Sequence, residues 1–422
     1  MLTRAARYER CGCTTFIAFG LGKKRLELRW NEFGQPPAGY HRFPMGSALE
    51  VQRRLALKQD SNKPRQSPKR RTFRADMVLT IGVDLGDKNS RYCALNKQGE
   101  VVAEGSVGTT RKAIVEKFQG LPSCRVALEV GTHSPWVSRL LAELGHEVLV
   151  ANARQVKLIS ESSRKTDRID AEMLARMARA DPSLLRPIRH RSAETQAVLT
   201  KVRVRATLVE TRTSLINTVR SLAKVAGERV PACAADSLGM ADLKDLPAEM
   251  QQTLEPLVRH IESLTEAILK SEKELAQIAR RDYPETEQLQ QIKGVGTLIA
   301  LTYVLTVEDA GRFKRSRDVG CYVGLRPKRS QSGERSPELP ISKEGDIYLR
   351  RLLVQGAHYI LSRLGPDTDL KRWGVKLAAR GGKNAHKRAV VAVARKLSIL
   401  LHRLWVSGEV YEPLRNHRAQ AA

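Results

Sequence analysis

Long apolar runs are missing from this chain. No stretch of about twenty apolar residues occurs, so nothing in it is suited to cross a bilayer as a helix. Aromatic residues are scarce, 5% of 422 positions, which argues against a surface that stacks single nucleobases. Cysteine is sparse as well. The six thiols (Cys11, Cys13, Cys93, Cys124, Cys233, Cys321) are scattered, and Cys11-Gly12-Cys13 has no second Cys or His pair nearby to complete a zinc site. Reduced thiols in a cytoplasmic setting are therefore expected. The most consequential deficit is in acidic charge. Against 73 Lys and Arg stand 45 Asp and Glu, leaving a formal net charge of +28. An excess of that size points to a polyanionic partner, nucleic acid above all, through Coulomb attraction and counterion release. The basic residues run along the whole chain rather than beside an apolar segment, which disfavours a membrane surface as that partner.

Residues 1–76 differ from the rest of the chain. They are rich in Gly, Pro and Arg, weak in apolar periodicity, and close on the basic run from Pro64 to Arg71. They read as a disordered, nucleic-acid-touching arm or as upstream sequence translated ahead of a natural start at Met77. They do not read as a signal peptide, because Thr14 to Leu21 is too short an apolar core.

From Val78 the pattern changes. Val78 to Asp84 reads as a buried strand ending on a carboxylate and the Gly86 turn. Ser90–Leu95 and Val101–Val107 continue it as a meander. A helix over Thr110–Phe118, a strand Arg125–Glu129 ending on a second carboxylate, a helix with Leu140, Leu141 and Leu144 inward, and a strand Glu147–Val150 complete the unit. This order is that of an α/β, RNase H-like fold, in which active groups gather at the carboxyl ends of the strands. Asp84 and Glu129 stand at such ends. Downstream, Asp167 and Asp170 are three apart, with the apolar Ile169, Met173 and Leu174 at helical spacing, and positions i and i+3 share a helix face. Each acid has a plainer role: Asp84 can close a turn, Glu129 can pair with Arg125 or Arg154, and Asp167 and Asp170 can cap a helix opening near Thr166. Taken together, four carboxylates converging on one point repel unless cations lie between them, and two Mg²⁺ about 4 Å apart suit phosphoryl transfer.

Residues 193–225 form a long helix with Val202, Val209 and Ile216 on one track and Leu208, Leu215 and Leu222 on the next. After a Pro- and Gly-containing break, a second helix carries Leu254, Leu257, Ile261, Leu264, Ile268, Ser271, Leu275 and Ile278. This is a coiled-coil seam, either closed as an antiparallel hairpin or paired between protomers. Ile292 to Ala300 contains Gly294-Val295-Gly296 ahead of a helix, the pattern of a helix–hairpin–helix that holds a backbone phosphate, or of a plain interhelical turn. A basic loop with Arg326, Lys328 and Arg329 comes next. Ser342 then precedes a helix over Tyr348–Leu361, flanked by Lys343 and by Arg350 and Arg351. It is a helix N-cap or, with cations beside it, a nucleophile. A last amphipathic helix spans Ala385–Val406.

Ile81-Gly82-Val83-Asp84, Leu128-Glu129-Val130-Gly131-Thr132 and Lys165-Thr166-Asp167-Arg168-Ile169-Asp170-Ala171 resemble the three acidic blocks of the DEDD transposases of the insertion-sequence group called IS-one-ten. Gly294-Val295-Gly296, Gly324-Leu325-Arg326-Pro327 and Ile341-Ser342-Lys343-Glu344-Gly345 are similar to that family's second domain, so the resemblance spans about residues 78–410. It implies a RuvC-like domain over 77–190, a coiled-coil region over 191–285, a serine-containing transposase domain over 286–410 and a tail over 411–422. It implies that Asp84, Glu129, Asp167 and Asp170 bind Mg²⁺ and that Ser342 forms a covalent link to DNA. Ser330, Ser332 and Ser336 are the alternatives, since the serine block is the less regular one. It also implies a structured guide RNA that base-pairs with DNA, a homo-oligomer with sites composed from two subunits, and a nucleoid-associated cytoplasmic setting. Three other readings compete. One is a junction resolvase that uses water, and another is a non-enzymatic nucleic-acid scaffold. The third is an actin-like ATPase or sugar kinase, whose first phosphate loop Ile81 to Asn89 also resembles but whose second Asp-Gly loop has no counterpart here.

Overall fold

The computed structural model of the chain describes residues 79–152, 167–330 and 339–416, with the backbone alone at Asp167 and Arg168. Residues 1–76, and Ser332 and Ser336, lie outside the described residues. Among the described residues there are five strands: β1 Thr80–Asp84, β2 Asn89–Leu95, β3 Val101–Gly108, β4 Arg125–Glu129 and β5 Glu147–Ala151. They form one mixed sheet in the order β3-β2-β1-β4-β5. β1–β2 and β2–β3 are antiparallel; β1–β4 and β4–β5 are parallel. The expected order of three strands, helix, strand, helix, strand is the observed one.

Alternation along the central strands assigns the faces. Ile81, Val83, Val126 and Leu128 point to a core closed by α1 (Arg111–Phe118) and α2 (Ser134–Glu143), where Ile114, Phe118, Val137, Leu140 and Leu141 are buried. Thr110 starts α1 by accepting the Ala113 N–H. The intervening positions face α3 (Asp167–Ala180), which buries Ala171, Leu174, Ala175 and Ala178 against the sheet. Of the apolar residues noted there at helical spacing, Leu174 is buried, Met173 is half-buried against the same core and Ile169 is exposed. Asp170, Ala171, Ala175 and Ala178 complete the buried side. Small residues are required because the helix backbone lies directly on β1: a Cβ on Gly82 would run into the Ala171 carbonyl and come within 2.6 Å of Ala175 N.

Two long helices, α4 (Ala193–Val225) and α5 (Ala248–Asp282), pack on each other within the chain. Cross-contacts Lys201–Glu274, Arg205–Glu272 and Arg212–Thr265 run in opposite sequence directions, so the pair is antiparallel. The α4 seam is Leu199, Val202, Ala206, Arg212, Ile216, Val219 and Ala223. Of the second expected track, Leu208 and Leu215 are half-buried and Leu222 is exposed, because the hairpin closes around the Val202–Ile216 stripe.

Arg212 is the irregular member of that seam. It is 9% exposed and donates to Thr265 Oγ1 at 3.2 Å, while its Nε finds no partner among the described residues. A buried guanidinium held by one hydroxyl costs more in lost hydration than it regains. Arg212→Met is therefore expected to stabilise the chain by about 1–3 kcal/mol, read as a higher Tm in thermal unfolding.

The remaining helices form an all-helical unit: α6 Glu285–Leu289, α7 Thr297–Val307, α8 Arg317–Tyr322, α9 Ile347–Leu361, α10 Asp369–Ala378 and α11 Ala385–Ser407. Its core joins Tyr303, Val319, Leu353, Ala357, Val393 and Leu397. The expected tail is partly fixed in place, since Asp369 N–H donates to Pro413 O, Tyr411 N–H to Gln291 Oε1 and Asn416 N–H to Asp369 Oδ2. Cys93, Cys124, Cys233 and Cys321 form no disulfide among the described residues. Burial pushes the Cys124 thiol up to about 12, far from thiolate chemistry. No described helix is long and apolar enough to cross a membrane.

Candidate active site

Val83 and Leu128 are register partners in the parallel β1–β4 ladder, so Asp84 and Glu129, the next residues, end neighbouring strands at the same level. Adjacent strands lie about 4.8 Å apart. Both side chains come two positions after Gly82 and Ala127 and therefore project to the α3 face. Asp170 is buried, 7% exposed, in the first turn of that helix. Three of the four sequence-selected acids thus share one side of the sheet at one end of β1 and β4. The backbone of Asp167 opens α3, and its side chain lies outside the described set. Among the described residues, no three metal-ligating side chains approach closely enough to hold an ion by themselves. The donor set is nonetheless that of a hard divalent cation, all carboxylate oxygens with no thiolate among them. Of the two partners suggested for Glu129, Arg154 lies outside the described residues, and Arg125 instead donates from Nε to Glu147 Oε2 at 2.9 Å and from Nη1 to Ala178 O.

Ser342 sits in a loop with little freedom. A bridge joins Pro327 and Ile341, Ser342 N–H donates to Arg326 O at 2.8 Å, and Lys343 N–H donates to Gly324 O at 3.1 Å. Two chain segments cross there so closely that a Cβ on Gly324 would collide with the Glu344 backbone. Lys343 takes φ 58°, a left-handed conformation that a non-glycine residue keeps only when its surroundings enforce it. Arg350 supplies part of that enforcement by donating to Val323 O and Glu344 O. The helix N-cap is not Ser342 but Asp346, which accepts the Leu349 N–H and pairs with Arg203. The capping role expected for Ser342 is therefore filled by another residue. Its half-buried hydroxyl accepts a long 3.4 Å bond from Glu344 N.

Of the basic residues selected around it, Arg326, Lys328, Arg329 and Lys343 are exposed, as is Ser330. Arg350 is spent on the loop backbone, and Arg351 pairs with Glu210 of α4. Gly294 and Gly296 form a tight turn between α6 and α7, with Gly294 at φ 100° and Gly296 as the α7 N-cap. They line a cleft of about 450 Å³ together with Lys293, Gln355 and Tyr359. The helices around the Ser342 loop pack on other helices, whereas the sheet packs on α1, α2 and α3.

Sequence reasoning passed over His133 and Asp87, whose side chains meet across the loops that extend from Glu129 and Asp84, with 3.7 Å from Nε2 to Oδ1. The available signal was a His three residues before a Trp at a helix start, which places the indole against the imidazole.

Comparison with known proteins gives the class to which this carboxylate-bearing mixed sheet and helical region belong. Residues 81–226 match the DEDD transposase family of IS110, described as "Transposase", and residues 286–371 match "Transposase IS116/IS110/IS902 family". The chain is 30% identical to the transposase for insertion sequence element IS1111A of Coxiella burnetii, over 81% of this chain and 93% of that protein. It is also 30% identical to a probable family 20 transposase of Pseudomonas aeruginosa and to the transposase for insertion sequence element IS1328 of Yersinia enterocolitica. Each of these two alignments covers 79% of this chain and 98% of the relative. The protein is a DNA transposase. It belongs to the IS110 family of insertion-sequence transposases, the same group as IS-one-ten.

Proposed function

We propose that this transposase cuts and rejoins DNA with an acidic cation site on an RNase H-like, RuvC-like domain (77–190) and a serine nucleophile in the helical domain (286–410). In this reading a coiled coil (191–285) separates the two. The observation that carries the proposal is the placement of Asp84 and Glu129 at paired strand ends, with Asp170 on the same face. Asp84, Glu129, Asp167 and Asp170 would hold two Mg²⁺. Those ions, when bound, supply positive charge for the oxygens of phosphoryl transfer. Ser342 provides the attacking oxygen from a loop that Arg350 and the Gly324 crossing hold in place. One phosphodiester is exchanged for a phosphoserine diester: the serine hydroxyl gives up a proton and the released deoxyribose oxygen takes one. Because the number of ester bonds is unchanged, rejoining needs no external energy source.

The separation of Ser342 from the carboxylates along the chain supports a site assembled from two subunits of a homo-oligomer. Exposed Arg326, Lys328, Arg329 and Lys343, and the Gly294–Gly296 turn, are positioned to take backbone phosphates without reading sequence. That leaves sequence choice to a structured guide RNA, which pairing with DNA would serve. The test combines the purified chain, RNA transcribed from the flanks of its own element and a plasmid carrying the element's abutted ends. Strand exchange is expected with Mg²⁺, falling by roughly 10³-fold or more on chelation and returning on Mg²⁺ addition. Exchange that persists in chelator would overturn the cation site, and a purified protein that retains no element-derived RNA would overturn the guide.

A further inference from the structure

We propose that His133 is a catalytic residue of this transposase, donating its Nε2 hydrogen to a non-bridging oxygen of the scissile phosphate. The inference rests on the strand-cleaving function proposed for the carboxylates and Ser342, and adds to it a residue outside the four acids and the serine.

Trp136 Nε1 lies 3.2 Å from His133 Nδ1, and the two rings meet edge to face with centroids 6.1 Å apart. An indole nitrogen can only donate. His133 Nδ1 is therefore the acceptor, and the ring carries its hydrogen on Nε2. That nitrogen faces Asp87 Oδ1, 3.7 Å away on the loop that follows β1. His133 is four residues beyond Glu129 and Asp87 three beyond Asp84, so the contact spans the two loops that carry the strand-end acids.

The plainer role for a residue at this position is to start a helix. His133 is the N-cap of α2, but its side chain makes no capping bond. The turn is closed instead by Ser134, whose Oγ accepts the Gly131 N–H and donates to Gly131 O. The imidazole is thus oriented by Trp136 and left 28% exposed, facing a carboxylate that is itself 91% exposed and loosely held. An anionic phosphate oxygen fits the same donor better than a solvated surface acid does, because a donor already aimed at developing charge pays no reorganisation cost. Arg111, 6.0 Å from the Trp136 ring, adds a cation on the approach. No proton is transferred in this role, so the stoichiometry of cleavage is unchanged.

The experiment measures strand cleavage and covalent adduct on the abutted-ends plasmid with the element RNA, for the full chain and for His133→Ala, His133→Gln and Asp87→Ala. Thermal unfolding is recorded for each variant. His133→Ala is expected to lower the cleavage rate by roughly 10²-fold with little change in DNA affinity, the usual cost of one lost donor to a developing oxyanion. His133→Gln keeps an N–H donor and should recover most of the rate, with the same pH profile as the parent chain. Asp87→Ala, which removes the competing acceptor, should not slow cleavage. Three results would each overturn the proposal: an unchanged rate in His133→Ala, a glutamine variant as slow as the alanine one, or a histidine-like limb in the parent profile that His133→Gln lacks. The last would assign proton transfer instead. Long-range ¹H–¹⁵N NMR of the histidine-labelled chain supplies a readout independent of activity, and a ring with its hydrogen on Nδ1 would also overturn it. An adduct missing from the parent chain would fault the serine reading, and the NMR result would still decide the tautomer.

Discussion

Asp84→Asn is expected to reduce strand exchange by roughly 10³-fold or more while DNA and RNA binding stay within a factor of about two. The amide preserves shape, so β1 and its packing survive, but it removes one of the negative charges on which the proposed cation site relies. Stability should be retained, because the near-isosteric amide leaves the packing of β1 in place, and Tm should stay close to that of the parent chain. That pairing of lost activity with retained stability separates a ligand from a structural acid. A variant that loses Tm and nucleic-acid binding together with exchange would show Asp84 to be a folding residue, and the cation site would lose its best-placed member. Asp170→Asn is the natural companion, because its buried carboxylate is carried by the opposing helix.

Ser342→Ala is expected to abolish the protein–DNA adduct seen on a denaturing gel, again without loss of fold. The argument is structural as well as chemical. Asp346 starts the helix, and the bonds that hold the loop run through backbone atoms and Arg350. The hydroxyl contributes a single long contact to Glu344 N, so its deletion should cost well under about 1 kcal/mol. An adduct of unchanged yield would move the nucleophile elsewhere, and the exposed Ser330 would be the first replacement to examine. Cleavage without any adduct in the parent chain would favour water as the nucleophile and a resolvase-like reaction.

The sheet was largely legible in the sequence because buried strands declare themselves as short β-branched runs ending at glycine turns. Val101–Gly108 and Arg125–Glu129 lie within a residue of the expected spans. The long helices were legible from heptad spacing, and Ala193–Val225 matches its expected bounds. Three features were not. The inner face of α3 is largely alanine, which carries little hydrophobic signal, whereas Ile169, one of the apolar residues at helical spacing, is exposed. Arg212 occupies a seam position that periodicity reserves for an apolar residue. Asp346, a better N-cap than Ser342 and adjacent to its helix, was hidden by interest in the serine. At the candidate site, the acids were found from strand ends and i, i+3 spacing, both local properties. The His133–Asp87 contact was missed because it depends on two loops 46 residues apart in sequence becoming neighbours through the parallel pairing of β1 with β4.

The backbone-to-backbone seating of α3 on Gly82 has a bearing on how this enzyme can diverge. No side chain cushions that junction, so the gap between the strand-borne acids and the helix-borne acid is a fixed length set by main-chain atoms. Drift elsewhere in the hydrophobic interior can be absorbed by rotamer changes, but a single added methyl at this junction lifts the helix bodily and carries Asp170 with it. The spacing of the acids is thereby insulated from neighbouring sequence change.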